Sequence, residues 1–228
     1  SVAIGQDRID DLHARIDLAR WPEPETVDDW SQGPPLAKVR ELVEYWRSGY
    51  DWRRCEARIN AFDQFITEID GLDLHFIHAR SPHDGAAPLV LTHGWPGSVV
   101  EFLDAIDPLR DPVAHGGRAE DAFHVVVPSL PGYGFSGKPR AAGWGVERTA
   151  RAWATLMQRL GYDRWFAQGG DWGAIVTTVM GAQAPQGLAG IHTNMPVARI
   201  RPEDRENPDP AEQAALEAGA RYNRFDSG

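Results

Sequence analysis

The chain has 228 residues, 42% of them hydrophobic and 25% charged, enough for one globular core plus an appendage. A formal charge of −10 argues against nucleic acid and anionic membrane surfaces as partners, and says little about a neutral, apolar ligand. The single cysteine, Cys55, rules out a disulfide within the chain, and no apolar run approaches the roughly 20 residues that span a bilayer, so a reducing, cytoplasmic setting is expected.

Residues 1–62 read as a helical amino-terminal extension with two amphipathic helices. Ile9, Leu12 and Ile16 share one face, and Leu36, Val39, Leu42, Val43 and Trp46 share another. Trp21-Pro22-Glu23-Pro24 and Gly33-Pro34-Pro35 break them. Phe65 to Ile69 and Leu72 to Ala79 alternate around Asp70-Gly71, which is a hairpin signal. Within the second run His75 and His78 stand at odd spacing and fall on opposite faces, so no metal site is expected there.

Strands and helices then alternate: strand 88–93, helix 98–109, strand 123–127, helix 146–160, strand 164–168, helix 172–184 and strand 188–193. The alternation predicts an α/β fold, a mostly parallel sheet covered by helices, with its core over residues 63–196. Beyond Asn194-Met195-Pro196, the third region, 197–228, holds a proline-punctuated stretch and a helical run from Pro210 to about Phe225. A sheet ending at strand 188–193 would leave an apolar edge and one helix-sized face without cover.

The chemistry concentrates at Gly169-Gly170-Asp171-Trp172-Gly173, a glycine-flanked turn between a strand and a helix. This is the pattern of a nucleophile elbow, with a carboxylate at the central position. Asp171 would stand at the positive end of the following helix, which favours its ionised form. Asp is also a preferred N-cap residue, so plain helix capping competes with the nucleophile reading. The run Pro88–His93 leads into Gly94-Trp95-Pro96-Gly97-Ser98, where the second donor of an oxyanion hole is expected. The two backbone N–H groups would be those of Trp95 and Trp172. Ser98 and Glu101, followed by Phe102, Leu103 and Ile106, form the capping box Ser-x-x-Glu, so Glu101 is read as structural. His93, at a strand end before the glycine turn, is read as positioning the loop and not as a base.

A third motif, Gly132-Tyr133-Gly134-Phe135-Ser136-Gly137, matches the dinucleotide fingerprint literally. Lys138–Gly145 intervenes as loop where a helix should begin, and no acid lies about 20 residues on. No nucleotide or other cofactor is expected.

The combination of His93-Gly94-Trp95-Pro96-Gly97-Ser98, Leu130–Ser136 and Gly170–Gly173 resembles the α/β-hydrolase epoxide hydrolases. Arg20-Trp21-Pro22, Asp29-Trp30, Tyr45-Trp46 and Tyr50–Arg53 resemble the extra amino-terminal segment of the microsomal and juvenile-hormone type. The resemblance implies Asp171 as nucleophile, Trp95 and Trp172 as the backbone oxyanion hole, a small apolar epoxide as substrate, and residues 197–228 as the beginning of a cap. It also implies a histidine base, its acid and cap tyrosines, none of which this chain offers, since His192 is the sole histidine after Asp171. The expectation is that the missing part of the fold follows in cis or comes from a second chain, and a homodimer is compatible with it. Two alternatives stand beside this reading: haloalkane dehalogenase, which uses the same aspartate elbow but an asparagine where this chain has Trp95, and an inactive fragment or binding module.

Overall fold

The computed structural model describes residues 1–197 and 206–225. They fall into two compact units, Ser1–Asn194 and Met195–Gly228. Part of the 197–228 expectation therefore lies outside the described residues. In the first unit, α1 (Gln6–Asp17) and α2 (Leu36–Glu44) appear as expected. The extension holds one helix more than its two amphipathic runs predict. Tyr45–Gly49 closes as a π-helical turn and is followed by a third helix, α3 (Trp52–Asn60), capped by the Asp51 carboxylate accepting from the Arg53 N–H. Its apolar face is thin, and only Ile59 is fully buried. Tertiary burial decides that helix more than periodicity does.

The hairpin of β1 (Gln64–Ile69) and β2 (Leu72–Ala79) turns at Asp70 and Gly71, both at positive φ, 53° and 75°. Two consecutive positive φ values match the twist of the flanking strands. The remaining strands are β3 (Ala87–Thr92), β4 (Phe123–Pro128), β5 (Trp165–Gly169) and β6 (Leu188–Thr193). The sheet order is β1-β2-β4-β3-β5-β6. Pairs β4/β3, β3/β5 and β5/β6 are parallel, and β1/β2 and β2/β4 are antiparallel, which makes the sheet mixed.

Alternate residues of each strand serve opposite faces. Leu74, Phe76, Val90, Val126 and Ala167 join Trp153, Met157, Val176 and Met180 of α5 (Val146–Arg159) and α6 (Trp172–Gln183). Ile77, Leu89, Leu91, Val125 and Val127 join Ile59 and residues Leu103 and Ile106 of α4 (Leu103–Arg110). A 3₁₀ turn, Val99–Phe102, precedes α4, so the expected helix 98–109 is two elements. On this second face Leu89, Leu91, Phe166, Gly190, Ile191 and His192 line an open apolar hollow of about 890 Å³ beside edge strand β6. In the second unit, α7 (Pro210–Phe225) opens on a reciprocal capping box. The Asp209 carboxylate accepts from the N–H groups of Ala211 and Glu212, and the Asp209 N–H donates to the Glu212 side chain.

Candidate active site

The turn between β5 and α6 is sterically specified by its glycines. A β-carbon at Gly169 would fall on the Gly173 carbonyl, and one at Gly173 on the Thr92 carbonyl at the end of β3. Small residues at these two places allow the first turn of α6 to close over the strand ends. The bend forces Asp171 to φ 52°, ψ −127°, a backbone region that costs a non-glycine residue roughly 1–3 kcal/mol. Strain of this size persists where the surrounding packing over-determines it.

Asp171 occupies the N-cap position of α6, yet its side chain makes no capping hydrogen bond. Its Oδ1 instead accepts from the Trp95 N–H at 2.7 Å, across 76 residues of sequence. The Trp95 N–H, and after it the Trp172 N–H, hold the Asp171 carboxyl below its usual range. The carboxylate is solvent-exposed, and the indoles of Trp95 and Trp172 are 65% and 48% exposed beside it. The geometry is thus an ionised carboxylate on a strained turn, its Oδ1 held by the Trp95 N–H, with the Trp172 N–H adding to the hold on the carboxyl.

The loop that supplies Trp95 is held from several directions. Gly97 N–H donates to the Gly94 carbonyl at 3.0 Å, closing a turn around the cis Trp95–Pro96 bond. A β-carbon at Gly94 would fall on the Asp171 side chain, so only glycine permits this approach. His93 is fully buried and uses both ring nitrogens. Its Nε2 accepts from the Leu130 N–H at 3.0 Å, so the proton resides on Nδ1, which donates to the Gly94 carbonyl at 2.9 Å. Burial pushes its pKa down, and the ring is a neutral strut between two loops.

Ser98 Oγ accepts from the Val100 N–H at 3.3 Å, as expected of a helix-start residue. Glu101 lies against the same loop: a β-carbon at Gly97 would fall on its carboxylate. Burial raises the Glu101 pKa, the Ser98 N–H opposes that shift, and the charge of Asp171 adds to it. Sequence reasoning missed one neighbour. The side-chain oxygen of Asn194 would stand 2.7 Å from a β-carbon at Gly170, so it packs on the elbow itself. The signal for it was positional, because residues just past the carboxyl ends of parallel strands line such sites. His192, on β6, pairs with Gln168 of β5 and faces the open hollow on the α4 side. Among the described residues no three His, Cys, Asp or Glu side chains cluster as metal ligands. No helix among them is long and apolar enough to cross a membrane.

Comparison with known proteins agrees with this geometry. Residues 1–102 match the family model described as epoxide hydrolase N terminus, and residues 87–225 match that of the alpha/beta hydrolase fold. A putative epoxide hydrolase of Stigmatella aurantiaca is 58% identical over 229 residues, covering all of this chain and 52% of that protein. Epoxide hydrolase 1 of Oryctolagus cuniculus is 40% identical, over 85% of this chain and 44% of its own length. A solved structure of Aspergillus niger epoxide hydrolase is 35% identical with a TM-score of 0.83, over 99% of this chain and 58% of that one. The chain spans about half the length of the curated relatives it matches. With a mixed six-stranded sheet, a strained aspartate elbow and these matches together, the chain belongs to the α/β-hydrolase fold family, joined to the amino-terminal region of the epoxide hydrolases.

Proposed function

We propose that this chain carries the nucleophile and oxyanion hole of an epoxide hydrolase that converts a small apolar epoxide to a vicinal diol. The observation that carries the reading is the Asp171 carboxylate, which sits at a helix N-cap and declines to cap, its Oδ1 taken by the Trp95 N–H. Its Oδ2 attacks an epoxide carbon. The ring C–O bond breaks, the ring oxygen leaves as an alkoxide that takes up a proton, and an aspartyl ester forms. Water, giving up a proton, then adds to the ester carbonyl carbon, and the oxyanion that develops is received by the Trp95 and Trp172 N–H groups. Its collapse breaks the acyl C–O bond, the departing oxygen takes a proton, and the diol leaves with the Asp171 carboxylate restored. A carboxylate suits the first step because it attacks carbon without first losing a proton. No cofactor enters, since neither step transfers electrons to an acceptor.

The exposed indoles of Trp95 and Trp172 support an apolar substrate. The water step needs a base. His93 has both nitrogens committed and His192 faces the α4 side, so neither fills that role. The residues at hand therefore perform ester formation first and foremost. A cytoplasmic setting belongs to the same proposal, supported by the unpaired Cys55 thiol. The test is incubation with a styrene-oxide-type epoxide and peptide mass spectrometry. A mass increment equal to the epoxide at Asp171 is the expected result, and an adduct mapped to Cys55 or His93 would overturn it. Halide release from a haloalkane without alkylation by epoxide would favour the dehalogenase alternative.

A further inference from the structure

The turn Gly94–Gly97 is straddled by two carboxylates. Asp171 fills the space beside Gly94, and Glu101 fills the space beside Gly97. The end of the turn nearest His93 has independent anchors: the His93 ring on the Gly94 carbonyl and, through Nε2, the Leu130 N–H. At the far end, Gly97 spends its N–H on Gly94, and the Ser98 hydroxyl faces forward to Val100. What stands against that end is Glu101, whose charge the Ser98 N–H stabilises.

The glutamate half of a capping box anchors this side chain, since the Glu101 carboxylate takes the Ser98 N–H, but the box does not require its seat on Gly97. In such a box the glutamate reaches back to the N-cap N–H while the N-cap hydroxyl bonds the third helical N–H. Here Ser98 bonds the second, Val100, and α4 begins only at Leu103, after the 3₁₀ turn. The Glu101 carboxylate is lodged on the α-carbon of Gly97, two residues from the Trp95 donor.

We propose that Glu101 is a positioning residue: tied back by the Ser98 N–H, its carboxylate seats on Gly97 and holds the Gly94–Gly97 turn so that the Trp95 N–H points at the oxygen of Asp171. The inference deepens the proposed function, on which its catalytic consequence rests. Its structural content does not depend on that function. Donors of this kind act only when aimed within a few tenths of an ångström, and losing one slows acyl transfer by roughly 10²–10³-fold. Glu101 should therefore govern breakdown of the aspartyl ester more than its formation.

The experiment compares Glu101→Met, Glu101→Gln and Glu101→Asp in the intact protein, labelled with ¹⁵N-tryptophan. The Trp95 amide proton, bonded at 2.7 Å to a carboxylate, should resonate well downfield in the wild type. Glu101→Met keeps the volume and removes the acceptor, and should move that resonance upfield. Glu101→Gln keeps an oxygen for the Ser98 N–H, and should restore it. If Glu101→Met does not fold, Glu101→Asp, one methylene short of Gly97, should give the same upfield shift. With epoxide present, the Asp171 ester of the folded variant should hydrolyse about 100-fold more slowly than that of the wild type. An unmoved Trp95 amide in a folded Met or Asp variant overturns the positioning role, whatever Asp171 does. Absence of any Asp171 ester in the wild type, with the amide shifted as expected, instead overturns the catalytic reading and leaves the positioning role standing.

Discussion

Two glycine-rich turns leave the carboxyl ends of β4 and β5, the strands that flank β3, and they use their backbone donors in opposite ways. After β4 the chain folds back on itself. Gly132 N–H donates to the Gly137 carbonyl, Tyr133 N–H to Leu130, Ser136 N–H to Tyr133, and Gly137 N–H to Asp73. Leu130 N–H is taken by His93. After β5 the helix begins at once, so the Trp172 N–H, with Trp95 across from it, is left facing a carboxylate. Donors bind an external oxygen only where the turn has not already used them. This is the physical reason that the motif resembling a dinucleotide fingerprint spends the printed donors of its loop within the fold, whereas the shorter Gly169–Gly173 turn leaves its first helical N–H to a carboxylate.

The most damaging way to break the β5 turn is Asp171→Asn. Loss of adduct formation on the order of 10⁶-fold is expected, as for removal of other nucleophiles, read by the mass of the intact protein after epoxide treatment. Next comes steric disruption. Gly173→Ala would drive a β-carbon into the Thr92 carbonyl and should cost about 1–3 kcal/mol in urea unfolding. Gly134→Ala, in the other turn at φ 49° with Ser129 Oγ 2.9 Å from the new carbon, should cost about 1–2 kcal/mol. A larger loss at Gly134 than at Gly173 would contradict the view that the β5 turn is the more tightly packed.

Acid separates the turns in another manner. His75 lies under the β4 turn, its Nδ1 on Ser129 Oγ and its backbone N–H donating to Ser136 Oγ. Burial lowers its pKa from 6.5 to about 4, and does the same for His78 beside Tyr162. The unfolded chain therefore binds more protons than the folded one in that window. This contribution to stability is complete above pH 6.5 and is lost as pH falls toward 4. Urea midpoints should decline across that range and decline less in a His75→Gln, His78→Gln variant. The Asp171 carboxyl, held below its usual range, should stay ionised throughout, so alkylation of folded protein should be flat between pH 8 and 5, as followed by adduct yield. The smallest effect concerns ligands of the β4 turn. Titration with nicotinamide or flavin nucleotides should give no saturable signal at micromolar concentration, and binding that disappears in Gly134→Ala would show that the loop opens.

Much of the framework was legible because it is local. Asp70-Gly71 announces its hairpin through the two positive φ values it supplies, and the apolar runs of β3, β4 and β5 announce a buried sheet. α3 escaped notice because Trp52, Cys55 and Ile59 make too narrow a stripe among charged residues, and its helix depends on Ile59 reaching the core. The split of residues 98–109 into a 3₁₀ turn and α4 is a change of hydrogen-bond pattern within one apolar run, which periodicity does not record.

The sequence by itself determined the α/β alternation, the candidate nucleophile Asp171 and the loop that would face it, because glycine spacing and apolar period are properties of neighbouring residues. Only the tertiary structure chose between a capping and a presenting Asp171, since that choice depends on whether the Trp95 N–H, 76 residues away, arrives within 2.7 Å. The same holds for the proton on His93 Nδ1, for Asn194 against Gly170, and for Glu101 lodged on Gly97. Each is a contact between separate strand ends, and the sheet order β4-β3-β5-β6 is what brings those ends together.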